Sequence, residues 1–216
     1  MLQDCSCWRP KLQSAVGGAA FAADDPASSQ SRSDQCELYF MATFLHAGFA
    51  ISLAEPDLLV RINKSVQLAV AVKRPRSEAR IVRNIRAAAK QIARKDIPGI
   101  VAVDLSFIER IEKPLYVRES AEQLVPAVVL LDVYAKQNQR ELLRAATGVN
   151  TLGLLLHLSC GVRSLRPHLS MVSRRWLMLS HELDPRLDRL VRAIQSLGAK
   201  PISSGNWEFR DIIFIS

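Results

Sequence analysis

The chain has 216 residues, 49% of them hydrophobic and 23% charged, with nine Gly, ten Pro and four Cys. Those proportions exclude a collagen-like chain, a disulfide framework and a wholly disordered polymer, and the length is enough for one domain with a substantial core. The formal charge of +8 is concentrated: residues 73–95 hold nine Lys/Arg against Glu78 alone, and the remainder balances. Such a run builds a local positive potential suited to an anionic partner, although a merely solvated helix face would carry it too.

At the N-terminus, Ala15 to Ala23 ends in small residues like a signal-peptide cleavage region, but it contains no Leu and follows Asp4. Residues 24–34 are polar and Ser-rich, with too little apolar content to fold alone. Residues 1–34 are therefore expected to be a flexible lead-in, and 35–216 a single α/β domain. Cys5 and Cys7 form a C-x-C pair, while Cys36 and Cys160 stand apart, so no zinc spacing is present. Free thiols suit a reducing compartment, and no apolar run reaches the roughly 18 residues of a membrane span. The expectation is a cytoplasmic protein with no membrane partner.

Residues 37–46 place Leu38, Met41 and Leu45 at helical spacing before a Gly48 stop. Residues 49–53, 58–62 and 66–72 read as three strands, the last two a hairpin across Asn63-Lys64. Alternation in the third puts Leu68, Val70 and Val72 on one face and Ala69, Ala71 and Lys73 on the other. After Pro75, with Ser77 as N-cap, residues 78–94 give the clearest helix: Ile81, Ile85, Ala88 and Ile92 form one stripe, while Arg83, Arg86, Lys90 and Arg94 lie opposite. Pro98-Gly99 leads into the apolar strand 100–105, and strand, helix, strand is a βαβ unit with a right-handed crossover. Beyond the polar stretch 109–119, residues 121–146 predict one long helix, or two broken near Gln137-Asn138-Gln139. Residues 152–159 and 169–179 predict strands, the second at an edge or with one wet face because of Arg174-Arg175. A helix follows over 185–197, capped by Asp184, with a closing strand over 207–215.

Glu55-Pro56-Asp57-Leu58-Leu59-Val60, then Leu68-Ala69-Val70-Ala71-Val72-Lys73-Arg74-Pro75, Ala87-Ala88-Ala89-Lys90-Gln91-Ile92 and Gly99-Ile100-Val101-Ala102-Val103-Asp104 together resemble the PD-(D/E)XK nuclease-like superfamily. The resemblance covers residues 37–106 and implies a restriction-endonuclease-like core, a mixed sheet flanked by helices, with 107–216 as an α/β extension. It implies a site in which Asp57 holds Mg²⁺ or Mn²⁺ and Lys73 stabilises charge beside the attacked phosphate. Glu37 and Gln91 match accessory catalytic positions, and the carbonyl of Val72 matches a main-chain metal ligand. The second acidic position of the motif is Ala71, which cannot bind metal, and Glu37 or Glu55 would have to replace it.

Other readings of the same residues are simpler. Asp after Pro commonly serves a turn, and a strand-end Lys commonly reaches water. No nucleotide-binding glycine loop or G-x-S-x-G elbow occurs, and the four His are dispersed. The sequence therefore predicts a nucleic-acid-binding protein that docks DNA or RNA on Arg80, Arg83, Arg86, Lys90 and Arg94. Metal-dependent phosphodiester hydrolysis, and a homodimer, are compatible with it. The alternative is a catalytically inactive nuclease-like module that binds nucleic acid or an acidic protein.

Overall fold

A computed structural model describes residues 8–17, 30–106, 115–117, 126–164, 170–181, 184–198 and 212–215. Among these residues the elements are α1 (Trp8–Val16), α2 (Gln30–His46), β1 (Ala50–Ala54), β2 (Asp57–Arg61), β3 (Gln67–Lys73), α3 (Glu78–Ala93), β4 (Gly99–Asp104), β5 (Leu115–Val117), α4 (Pro126–Ala146), β6 (Thr151–Ser164), β7 (Ser170–Leu179), α5 (Pro185–Gly198) and β8 (Ile212–Ile215). The α/β class expected from the sequence is present. Eight strands make one mixed sheet in the order β1-β2-β3-β4-β6-β7-β8, with β5 added beside β6.

Local chemistry explains the punctuation. Gly48 takes φ +90° and ends α2. Its N–H donates to Leu45 O at 2.9 Å while Phe49 N–H donates to Phe44 O at 3.1 Å, the paired bonds of a Schellman end. The chain then forms two successive antiparallel hairpins, β1-β2 and β2-β3, so the first strand joins the expected hairpin in a meander. Glu55-Pro56 supplies the first turn. In the second, Asn63 Oδ1 accepts the N–H groups of Ser65 and Val66, an Asx turn.

From β3 the chain crosses through α3 into β4, and β3, β4 and β6 run parallel. Every residue of β4 is buried, as its continuous apolar run requires of a strand covered on both faces. On one face Ala71, Val101, Val103, Leu154 and Leu156 pack beneath Ile81, Ile85 and Ile92 of α3 and Leu131 and Leu142 of α4. On the other, Leu58, Val70, Ile100 and Leu155 pack beneath Phe40 and Phe44 of α2 and Leu190 and Ile194 of α5. The result is a three-layer sandwich with the sheet in the middle.

Some boundaries differ from expectation. Residues 8–16 are helical rather than a flexible lead-in, and α2 starts at Gln30; the two helices meet through Lys11 with Asp34 and Glu37 and through the Gln35 amide, which donates to Ala15 O at 2.8 Å. The readings for residues 1–7, 18–29, 121–125, 169 and 207–211 lie outside the described residues. Helix α4 runs unbroken through Asn138, whose side-chain amide donates back to Tyr134 O at 2.9 Å. Asp184 caps α5, its Oδ1 accepting the Arg186 N–H at 2.8 Å. Arg174 and Arg175 lie on β7 before the stretch paired with β8, which starts at Trp176. Among the described residues, no helix is long and apolar enough to cross a membrane.

Candidate functional site

The β2-β3 hairpin brings the two central motif residues together. Leu58 pairs with Val70, so one step further Asp57 stands beside Ala71 with Lys73 diagonal to it. Lys73 Nζ lies 3.3 Å from Asp57 Oδ2, and the same oxygen accepts the Val72 N–H at 2.7 Å. Burial pushes the Asp57 carboxyl above its usual range, opposed but not cancelled by Lys73, by the Val72 N–H and by Lys11.

The other predicted ligands relate to this pair differently, Glu37 through Lys11, whose charge also acts on Asp57. Glu55 is largely exposed, and its carboxylate lies 3.4 Å from Lys95 Nζ. Val72 meets Asp57 through its N–H, not as a carbonyl ligand. Ala71 is fully buried in the layer under α3, so its missing carboxylate reflects a packing position. Glu37 is buried and bonded to Lys11 of α1, whose ammonium also lies 3.8 Å from Asp34. Gln91 is half-buried on α3, with its Oε1 enclosed and without a hydrogen-bond partner. Among the described residues no three His, Cys, Asp or Glu side chains are grouped to hold a metal. All three acids of the predicted site, Asp57, Glu37 and Glu55, are already matched by lysines, so the residues do not fit a resident Mg²⁺ or Mn²⁺.

A second polar group, absent from the sequence reading, lies where the C-terminal end of β4 runs beside the middle of the parallel strand β6. Asp104 and His157 are direct partners in the β4-β6 register, and both face α2. His157 Nδ1 lies 3.0 Å from Asp104 Oδ1, and Tyr39 Oη lies 3.2 Å from His157 Nε2. Asp104 Oδ1 also accepts the Ser106 hydroxyl at 2.5 Å and its N–H at 3.1 Å, while Arg74 Nε lies 3.7 Å from Oδ2. Burial alone would raise the Asp104 carboxyl, but the bonds from His157 and Ser106 outweigh it and hold it below the usual range. Cys36 approaches Asp104 Oδ2 at 4.0 Å, and burial followed by the Asp104 charge pushes its thiol well above the ordinary range. Tyr39 stacks on Trp176, with ring centres 5.9 Å apart, and Trp176 sits 4.3 Å from the His157 ring.

Cys36, Tyr39, Arg74, Asp104, Ser106 and His157 line a cavity of about 280 Å³. The Cys36 thiol feels the charges of Asp57 and Lys73 as well as those of Asp104 and Arg74, so the two groups are electrostatic neighbours. Single-sequence spacing gave no hint of this, because Asp104 and His157 are 53 residues apart and meet only through strand register.

Outside the cleft, α3 buries Ile81, Ile85, Ala88 and Ile92 and exposes Arg80, Arg83 and Arg86, with Lys90 and, at its C-cap, Arg94 also exposed. Helix α4 adds Lys136, Arg140 and Arg144 at four-residue spacing along a groove of about 690 Å³ that His181 also lines. No protein-family model matches the chain, and no curated protein sequence matches it.

Proposed function

We propose that this is a nucleic-acid-binding protein built on a core like that of the PD-(D/E)XK nucleases, docking the phosphate backbone of DNA or RNA on α3. The supporting observation is the exposed row of Arg80, Arg83, Arg86, Lys90 and Arg94, on a helix anchored through its isoleucine stripe and leading directly from Lys73. Backbone contacts of this kind give affinity that falls steeply with salt and little sequence preference. The antiparallel meander followed by a parallel crossover agrees with a restriction-endonuclease-like core.

A second reading, metal-dependent phosphodiester hydrolysis at Asp57 and Lys73, is favoured by their 3.3 Å approach and weakened by Ala71 and the Lys11–Glu37 pair. Incubating the protein with labelled DNA and RNA in Mg²⁺ or Mn²⁺, with Lys73→Ala and chelator controls, separates the two. Salt-sensitive binding without cleavage upholds the binding module. Cleavage lost in both controls establishes the nuclease. Absence of binding at low salt removes both and leaves an acidic protein as the partner of α3.

A further inference from the structure

The strongest unassigned feature is the chain of bonds from Asp104 through His157 to Tyr39. A carboxylate held ionised can only accept, so the His157 proton it receives must sit on Nδ1. In its neutral form the imidazole then presents its Nε2 lone pair, and the hydroxyl at that nitrogen is Tyr39, 3.2 Å away. Nucleophile, base and orienting carboxylate thus stand in the relation that activates serine and cysteine in other enzymes. Two other nucleophilic side chains at the cavity are engaged. Ser106 donates its proton to Asp104 and accepts the Ser159 N–H at 2.8 Å, while Cys36 keeps its thiol proton. Tyr39 is half-buried and lines the cavity, with its ring fixed against Trp176.

We infer that Tyr39, with His157 as its base and Asp104 orienting the imidazole, is the nucleophile of a metal-independent phosphodiester transesterification. The substrate class rests on the nucleic-acid reading above. In the forward step the Tyr39 oxygen bonds to phosphorus as the phosphorus–oxygen bond to the leaving strand breaks. The phenol proton moves to His157 Nε2 and from there to the leaving alkoxide, so nothing is oxidised or reduced. The product is a phosphotyrosine diester with a free hydroxyl on the released strand, and the reverse step rejoins the strands. Arg74, which also lines the cavity, supplies positive charge as the phosphorane develops.

The experiment uses the full chain in excess chelator with labelled single-stranded and duplex oligonucleotides carrying a bridging phosphorothiolate, whose thiol leaving group does not rejoin. Filter retention of the same oligonucleotides is measured in parallel. The expected result is a covalent protein–nucleotide adduct mapped to Tyr39 by mass spectrometry. The adduct is lost in Tyr39→Phe, which keeps the ring against Trp176, and slowed about 100-fold or more in His157→Gln. For Asp104, a positioning residue, Asp104→Ala loses the adduct and Asp104→Glu restores part of it, with filter retention unchanged in both. Retention without an adduct, an adduct on another residue, or one that needs Mg²⁺ overturns the inference and leaves the nucleic-acid reading standing. Loss of retention at low salt overturns the reading and the inference together.

Discussion

Asp104 holds its charge in the interior because His157, both polar groups of Ser106, Cys36 and Arg74 converge on its two oxygens. Removing one member of such a buried set strands the others, and Asp104→Ala is expected to cost about 3–5 kcal/mol in urea unfolding. The pH dependence follows from the direction of the shift. With its folded pKa depressed, Asp104 contributes stability that is complete above the unfolded value of about 3.9 and is lost as pH falls through the lower folded value. Asp57, shifted upward by burial, acts with the opposite sign, favouring the folded state as pH falls through its raised pKa towards about 3.9. Urea midpoints measured from pH 6 to pH 2 should therefore fall less steeply for Asp104→Asn than for the parent; equal slopes would contradict the assignment. The Asp57–Lys73 approach was legible from the motif because both residues lie on one hairpin, 16 positions apart. Asp104 with His157 was not, since parallel pairing across a long connection leaves no local spacing to read.

Helix α3 is where sequence and structure agree most closely, because an apolar stripe and a charged face at 100° per residue admit one orientation against a sheet. Ser77 occupies the N-cap in extended conformation, but its hydroxyl makes no capping bond, a detail that composition cannot convey. If α3 is the docking face, each of Arg83→Ala, Arg86→Ala and Lys90→Ala should reduce the slope of log K against log salt by about 0.9 on duplex DNA, or about 0.7 on single strands. Unchanged slopes would place the nucleic acid elsewhere, with the Lys136, Arg140 and Arg144 row of α4 the next surface to substitute. The β4 element carries a different constraint. A Cβ on Gly99 would lie 2.5 Å from the Ala69 carbonyl oxygen of β3, so Gly99→Ala must push two parallel strands apart. A loss of about 1–3 kcal/mol in thermal or urea unfolding is expected. In the sequence Pro98-Gly99 reads only as the lead into a strand, and the packing role of Gly99 emerges from the neighbouring strand.

Across the whole molecule, the sequence supplied most of the elements but not their order in the sheet, in which β6 joins β4 and carries β7 and β8 outward. Nor did it show that α1 belongs to the fold, because the apolar positions Leu12 and Val16 stay exposed and the contacts to α2 are polar, through Lys11 and the Ala15 carbonyl. That lysine is partly exposed at 28%, while the acids it serves, Asp34 and Glu37, are at 5% and 10%. Lys11→Ala should destabilise the chain by about 1–2 kcal/mol, less than for a fully enclosed pair, read as a lowered urea midpoint. An unchanged midpoint would mean that α1 adds nothing to the stability of the rest. The same contact has a further consequence for the cleft. An ammonium on a covalent leash is present at an effective concentration that dissolved ions reach only in the millimolar range. Any cation arriving from solution at Glu37 and Asp34 thus faces a built-in competitor, because the protein carries its own counter-ion there.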